Sequence, residues 1–199
     1  LAKARQRATA EKAEIFETAM PPRINIFAIN VVCALYALGA LAVLGAPAQA
    51  QQAKGSVTGL PLPRYVSLKS SAVNLREGPS KDHATKWIYQ RAGLPVEIIA
   101  EFATWRRIRD SEGADGWVLH SLLSGKRTAL VQPWKKDAPA LPLRAKPDKD
   151  ANLTAKLAPG VIANVKKCDD GWCRVFGAGF DGYMQQNDLW GVYPGEKVE

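Results

Sequence analysis

Beyond residue 50, apolar and polar positions alternate with period two in short runs. Tyr65-Val66-Ser67-Leu68 and Val73-Asn74-Leu75 alternate in this way, and Val96-Glu97-Ile98-Ile99 is rich in β-branched side chains. Such alternation marks strands with one buried face. Gly and Pro punctuate the runs about every ten residues, as in an all-β barrel or sandwich. No stretch of this part carries a convincing helical apolar stripe. Trp87-Ile88-Tyr89 and Ser121-Leu122-Leu123 are ambiguous, and the second suits a single 3₁₀ turn.

The pattern is duplicated. Val73-Asn74-Leu75-Arg76-Glu77-Gly78-Pro79-Ser80 is echoed by Leu141-Pro142-Leu143-Arg144-Ala145-Lys146-Pro147-Asp148, an offset of 68 residues. Trp105-Arg106-Arg107-Ile108 is echoed at 67 residues by Trp172-Cys173-Arg174-Val175, and Asp115-Gly116-Trp117-Val118 at 66 by Asp181-Gly182-Tyr183-Met184. Kept order and spacing mean a repeated unit. The first is expected over residues 64–130 and the second over 131–194. Each is about 65 residues, near the lower size limit for independent folding. Residues 51–63, with Gly55, Gly59, Pro61 and Pro63, read as a linker. Pro133 to Pro142 reads as a second join, and 195–199 as a short tail.

Val-Asn-Leu-Arg-x-Gly-Pro, an apolar strand, a turn with Trp and then Asp-Gly-Trp-Val together resemble the bacterial SH3 (SH3b) domain. Lys86–Tyr89, Gly93–Ile98, Trp105–Asp110 and Leu189–Glu196 look more narrowly like tandem SH3-like exported proteins of alphaproteobacteria. The resemblance covers nearly all of residues 64–196. It implies an all-β chain of two tandem small SH3-like β-barrels, each five-stranded and strongly bent, after an N-terminal signal peptide helix. It also implies recognition of cell-wall peptide or glycan. The second repeat departs at Lys146, where the first has Gly78. Gly78 is expected to supply a positive φ, and Asp115-Gly116 and Asp181-Gly182 are expected to form tight turns feeding a strand.

Targeting signals change the picture upstream. Ile26 to Ala46 holds no charged residue, Arg23 precedes it and Ala48-Gln49-Ala50 follows. A basic start, an apolar core and a small-x-small site make a secretory signal peptide. Residues 20–50 are therefore expected to be removed between Ala50 and Gln51, giving a periplasmic or secreted protein. The rival is an uncleaved anchor, since the run approaches the ~20 residues that span a bilayer. Membrane contact is otherwise expected only before cleavage. Residues 1–19 precede Met20 and are expected to be an upstream extension, not native structure.

Composition is that of a globular protein, 47% hydrophobic and 23% charged, with a formal charge of +8 over 199 residues. Residues 51–199 keep 22 Lys/Arg against 16 Asp/Glu. This excess favours anionic surfaces. The strand Trp105-Arg106-Arg107-Ile108-Arg109 would suggest nucleic acid in a cytosolic protein, a partner that the export signal argues against.

Cys168-Asp169-Asp170-Gly171-Trp172-Cys173 carries the remaining cysteines. Asp170-Gly171 is a two-residue hairpin signal. It pairs Asp169 with Trp172 and makes Cys168 face Cys173 in a non-hydrogen-bonded rung, where Cα atoms approach ~4.5 Å. That separation suits a disulfide, and export supplies the oxidising compartment. The equivalent rung of the first repeat holds Glu101 and Arg106, expected as an exposed ion pair.

The candidate ligand-binding aromatics are Trp87, Tyr89, Trp105, Trp117, Trp134, Trp172 and Tyr183. Trp87, Tyr89 and Trp134 are the strongest candidates for exposure, and Trp105 and Trp172 equally suit core packing. His83 and His120 lie in no hydrolase or zinc motif, and no phosphate loop or nucleophile elbow occurs. No catalytic residue, metal or cofactor is expected. The expected role is a binding module for cell-wall peptide or glycan, and the alternative is a periplasmic protein–protein adaptor.

Overall fold

A computed structural model of the protein describes residues 52–199. They belong to one compact unit with two hydrophobic cores closed inside it. The expected extension, signal peptide and cleavage site at Ala48, Ala50 and Gln51 lie outside the described residues.

Fourteen strands among the described residues form two seven-stranded antiparallel sheets. The first contains β1 (Arg64–Leu68), β2 (Val73–Arg76), β3 (Thr85–Tyr89), β4 (Pro95–Phe102), β5 (Trp105–Arg109), β6 (Asp115–Leu119) and β7 (Leu123–Ser124), in the order β3-β2-β6-β5-β4-β1-β7. The second contains β8 (Thr128–Val131), β9 (Leu141–Arg144), β10 (Leu153–Leu157), β11 (Ile162–Asp169), β12 (Trp172–Gly177), β13 (Phe180–Gln185) and β14 (Leu189–Trp190), in the order β10-β9-β13-β12-β11-β8-β14. The two orders are the same order, so the sequence repeat is a repeat of topology. A 3₁₀ turn at His120–Leu122, one residue earlier than expected, recurs at Gln186–Asp188. Trp87-Ile88-Tyr89 is strand, in β3. β8 crosses the expected boundary at residue 130 and pairs entirely within the second sheet.

Alternation builds both cores. Val73 and Leu75 of β2 point inward and are fully buried, while Asn74 between them is exposed. Val96, Ile98, Ile108 and Val118 complete the first core. Leu143, Val175, Met184 and the two cysteines stand in the second.

Three glycine expectations need correction. Asp115-Gly116 and Asp181-Gly182 are not turns but lie inside β6 and β13. A Cβ at Gly116 would meet the Arg76 carbonyl oxygen at 2.7 Å, and one at Gly182 the Arg144 carbonyl oxygen at 2.7 Å. Glycine is required there because β2 or β9 crosses closely. Gly78 does not adopt a positive φ; the His83 ring packs against its bare Cα. Lys146 can therefore replace it in the second barrel.

The segment expected to be a linker is an ordered clasp. Gly55 donates to the Leu60 carbonyl and Leu62 to the Ala53 carbonyl, closing a narrow loop. This loop docks on Glu101, whose carboxylate packs against Gly55. At the other end, the expected tail is held by a single antiparallel bridge: Cys168 and Val198 exchange both backbone hydrogen bonds.

Candidate functional site

The β4–β5 and β11–β12 hairpins place the two equivalent rungs. In the second barrel Asp170 and Gly171 both take positive φ, so the right-handed twist continues through a two-residue turn. Asp169 pairs with Trp172 and Cys168 with Cys173, with Cα atoms 4.1 Å apart and the sulfurs joined. In the first barrel Ala103 alone takes the left-handed conformation, and Glu101 faces Arg106.

That pair is buried, contrary to the expected exposed rung. The Glu101 side chain is fully inaccessible, and the clasp and Arg64 cover it. Its Oε2 accepts the backbone N–H groups of Val57 and Thr58 at 2.9 and 2.8 Å. Its Oε1 accepts the Thr58 hydroxyl and Arg64 at 2.7 Å each, with Arg106 Nε 3.5 Å away. Burial alone would raise its pKa, but the bonds from Thr58, Arg64 and Val57 outweigh it and hold the carboxyl at about 2.

The two barrels meet through aromatic rings and one buried carboxylate. Tyr65 of β1 packs edge-on to Trp190 at 5.3 Å and tilted against Tyr193 at 4.6 Å. The Tyr193 hydroxyl donates to Glu97 Oε1 at 2.8 Å, and Arg109 donates to Glu97 Oε2. Burial, then the bond to Glu97 and its charge, push the Tyr193 phenol well above its ordinary range. The Thr128 hydroxyl adds a bond to the Gly93 carbonyl at 2.8 Å.

Beside this junction runs an open groove of about 580 Å³. β3 supplies Trp87 and Ile88, 43% and 53% exposed. Tyr89 is buried and donates its hydroxyl to Asp110 Oδ2 at 2.9 Å. Asp110 Oδ1 accepts the N–H groups of Glu112 and Ala114, so the loop after β5 is tied down. Trp87 rests edge-on against Tyr89, centroids 6.0 Å apart. Burial pushes the Tyr89 phenol up; Trp87 lowers it, and the Asp110 carboxylate raises it further. Arg91 and Glu112 line the rim, and Leu94 and Leu130 are the remaining apolar contributors. The groove thus joins one exposed indole to charges of both signs.

Of the seven candidate aromatics, Trp87 and Tyr89 alone line this groove, and Tyr89 does so from a buried position. Trp105 is buried, which removes it as a stacking platform. Trp117 and Tyr183 are half-buried at equivalent places on β6 and β13. Trp172 is half-buried and borders a separate depression of about 330 Å³ on the second barrel. Trp134 is 51% exposed on the connection after β8, away from the groove. Asp110, Glu112, Arg91 and Leu130 join the site without a signal in the sequence, because folding alone brings those three segments together. No cluster of three potential metal-ligating side chains occurs among the described residues.

A model of the bacterial SH3 domain matches residues 69–125 and again 137–191, together more than half of the chain. Curated proteins give no match. Among solved structures, NlpC1 from Trichomonas vaginalis is 13% identical, covering 75% of this chain and 50% of its own, with a TM-score of 0.30. NlpC2 from the same organism is 12% identical, covering 64% and 48%, at 0.29. An NlpC/P60 family protein from Bacillus cereus ATCC 10987 is 14% identical, covering 63% and 55%, at 0.27. The chain spans about half the length of each.

Proposed function

Because the chain belongs to the bacterial SH3 domain family, with two copies in tandem, we propose that it is an exported, non-enzymatic binding module whose first barrel takes a cell-wall peptide or glycan beside Trp87. The observation that carries this reading is the exposed indole braced on buried Tyr89. A ring already fixed by packing offers a stacking face at little entropic cost. Glu112, which also pairs with Lys136 at 2.7 Å, and Arg91 set exposed charges of both signs beside that ring and suit a ligand bearing both amino and carboxyl groups, as wall peptides do. An apolar wall with a few convergent polar groups is the usual make-up of a ligand site. The two cysteines beyond residue 50 are joined to each other, which supports a non-catalytic role, since a thiol nucleophile must be free. Location outside the cytoplasm is part of the same proposal and rests on the uncharged run at 26–46 and the Ala48-Gln49-Ala50 site.

The test is titration of soluble muropeptides into residues 51–199, followed by tryptophan fluorescence. Saturable binding is expected, weakened about thirtyfold in Trp87→Ala, the usual loss for a central aromatic. Equal binding by the variant would move the site elsewhere. Absence of binding would leave the adaptor reading, a periplasmic protein partner, in its place.

A further inference from the structure

The join between the barrels carries a second recess of different chemistry. Its walls are the ends of β1 and β7, the start of β8, and the first residues of β11, with Ala92 and Gly93 opposite. The volume is about 540 Å³. Lys69 and Lys126 stand on it, with Ser67, Thr128 and Asn164 among the polar lining. A neighbouring depression of about 390 Å³ shares Lys69 and Ser124 and adds Arg64, Arg106 and His120. No Asp or Glu lines either recess. The groove beside Trp87, by contrast, holds two carboxylates.

The cations are not all engaged. Arg64 and Arg106 pair with Glu101, but neither Lys69 nor Lys126 has an ion-pair partner among the described residues. The neutral polar groups also have spare capacity. Ser67 is 2% exposed, and its hydroxyl reaches only the Ser124 carbonyl, at 3.5 Å. Asn164 Nδ2 reaches the Phe176 carbonyl at 3.4 Å. Both distances lie beyond the usual range of a good hydrogen bond, and a buried hydroxyl so poorly satisfied favours a better partner. A recess with two unpaired ammonium groups and under-used hydroxyl and amide groups complements a ligand that is both acidic and rich in hydroxyls. No Trp, Tyr or Phe lines either recess, so neither offers the broad stacking face that the groove beside Trp87 presents.

We propose that this join is a second binding site, distinct from the groove beside Trp87, and that its ligand is an acidic glycan. Lys69 and Lys126 meet its carboxylates, and Ser67 and Asn164 face its hydroxyls. Two adjoining recesses that share Lys69 give room for more than one sugar unit.

The test uses residues 51–199 and polygalacturonate oligomers, with neutral dextran oligomers and poly-glutamate as comparison probes, by calorimetry at low and moderate salt. Polygalacturonate is expected to bind, more weakly as salt rises. The double variant Lys69→Gln/Lys126→Gln should lose about tenfold, the effect of removing two exposed ion pairs, and Trp87→Ala should bind polygalacturonate as the parent does. Lys69 and Lys126 have no structural partner, so the double variant keeps the thermal midpoint of the parent. Absence of polygalacturonate binding, or binding no tighter than dextran, overturns the site. Poly-glutamate binding as tightly overturns the glycan assignment in favour of an acidic peptide. Equal loss in Trp87→Ala overturns the separation of the two sites.

Discussion

Glu101 and Cys168 occupy the same rung of the two barrels, Glu101 facing Arg106 and Cys168 facing Cys173. Each rung is closed by a flanking segment, the clasp around Thr58 over Glu101 and the backbone bridge from Val198 to Cys168. One barrel locks this position with a buried ion pair and the other with a covalent bond.

Removing the covalent lock should cost modestly. The closed loop is about six residues, for which chain entropy assigns roughly 2 kcal/mol. Cys168→Ala/Cys173→Ala, which puts no hydroxyl into the core, should lose about that amount in urea relative to the oxidised parent, and reductant should have no further effect on the variant. A loss near zero would mean that the Val198 pairing already fixes the hairpin.

Removing the ionic lock should cost more. Glu101→Ala leaves Arg106 buried without its carboxylate, a change worth roughly 3–5 kcal/mol. The sign with pH follows from the depressed carboxyl. Its stabilisation is complete above the ordinary glutamate value near 4.5 and is lost as pH falls towards about 2. Urea midpoints of the parent should therefore decline between about pH 5 and 2, and Glu101→Gln should flatten that decline.

Tyr193 links the barrels. Its bond to the Glu97 carboxylate is a charge-assisted one, so Tyr193→Phe should cost about 1.5–3 kcal/mol. Folding holds this phenol above its ordinary pKa of 10.0, chiefly by burial. Its contribution is therefore intact below pH 10 and lost above it. Absorbance titration at alkaline pH should show Tyr65, Tyr89 and Tyr193 ionising together with loss of structure. Reversible ionisation of these three tyrosines near pH 10 in the folded protein would contradict that account.

The glycines of the Asp-Gly-aromatic motif mark strand crossings. Gly116→Ala and Gly182→Ala should each destabilise severely, because the added carbon meets backbone at 2.7 Å and cannot be relieved by a rotamer change. Gly113→Ala should be far milder: it has open space around it, with strain only from its positive φ. Similar melting temperatures for Gly116→Ala and Gly113→Ala would refute the close approach.

Much of the fold was legible because it depends on local period and on repetition. The alternation at Val73 and Leu75 and the Asp170-Gly171 turn led directly to β2 and to the Cys168–Cys173 rung. Burial of Glu101 was not legible, because it depends on residues 55–58 folding back across about forty positions of sequence. Its polar composition reads as linker until the carboxylate that orders it is in place. The groove was half legible. Trp87 stands out by its type, but Asp110, Arg91 and Leu130 come from three separate segments, and no local pattern announces that they meet. Trp105 misled because a tryptophan at a strand start serves core and ligand equally well in sequence.

The central claim is that the groove beside Trp87 binds cell wall. Its most direct test is co-sedimentation of oxidised residues 51–199, and of Trp87→Ala, with isolated peptidoglycan sacculi across a salt series. The account predicts that the parent stays bound at ~0.3 M salt, where diffuse attraction between exposed charges is largely screened, and that Trp87→Ala is released. Loss of the parent at that salt, or equal retention of the variant, would contradict it.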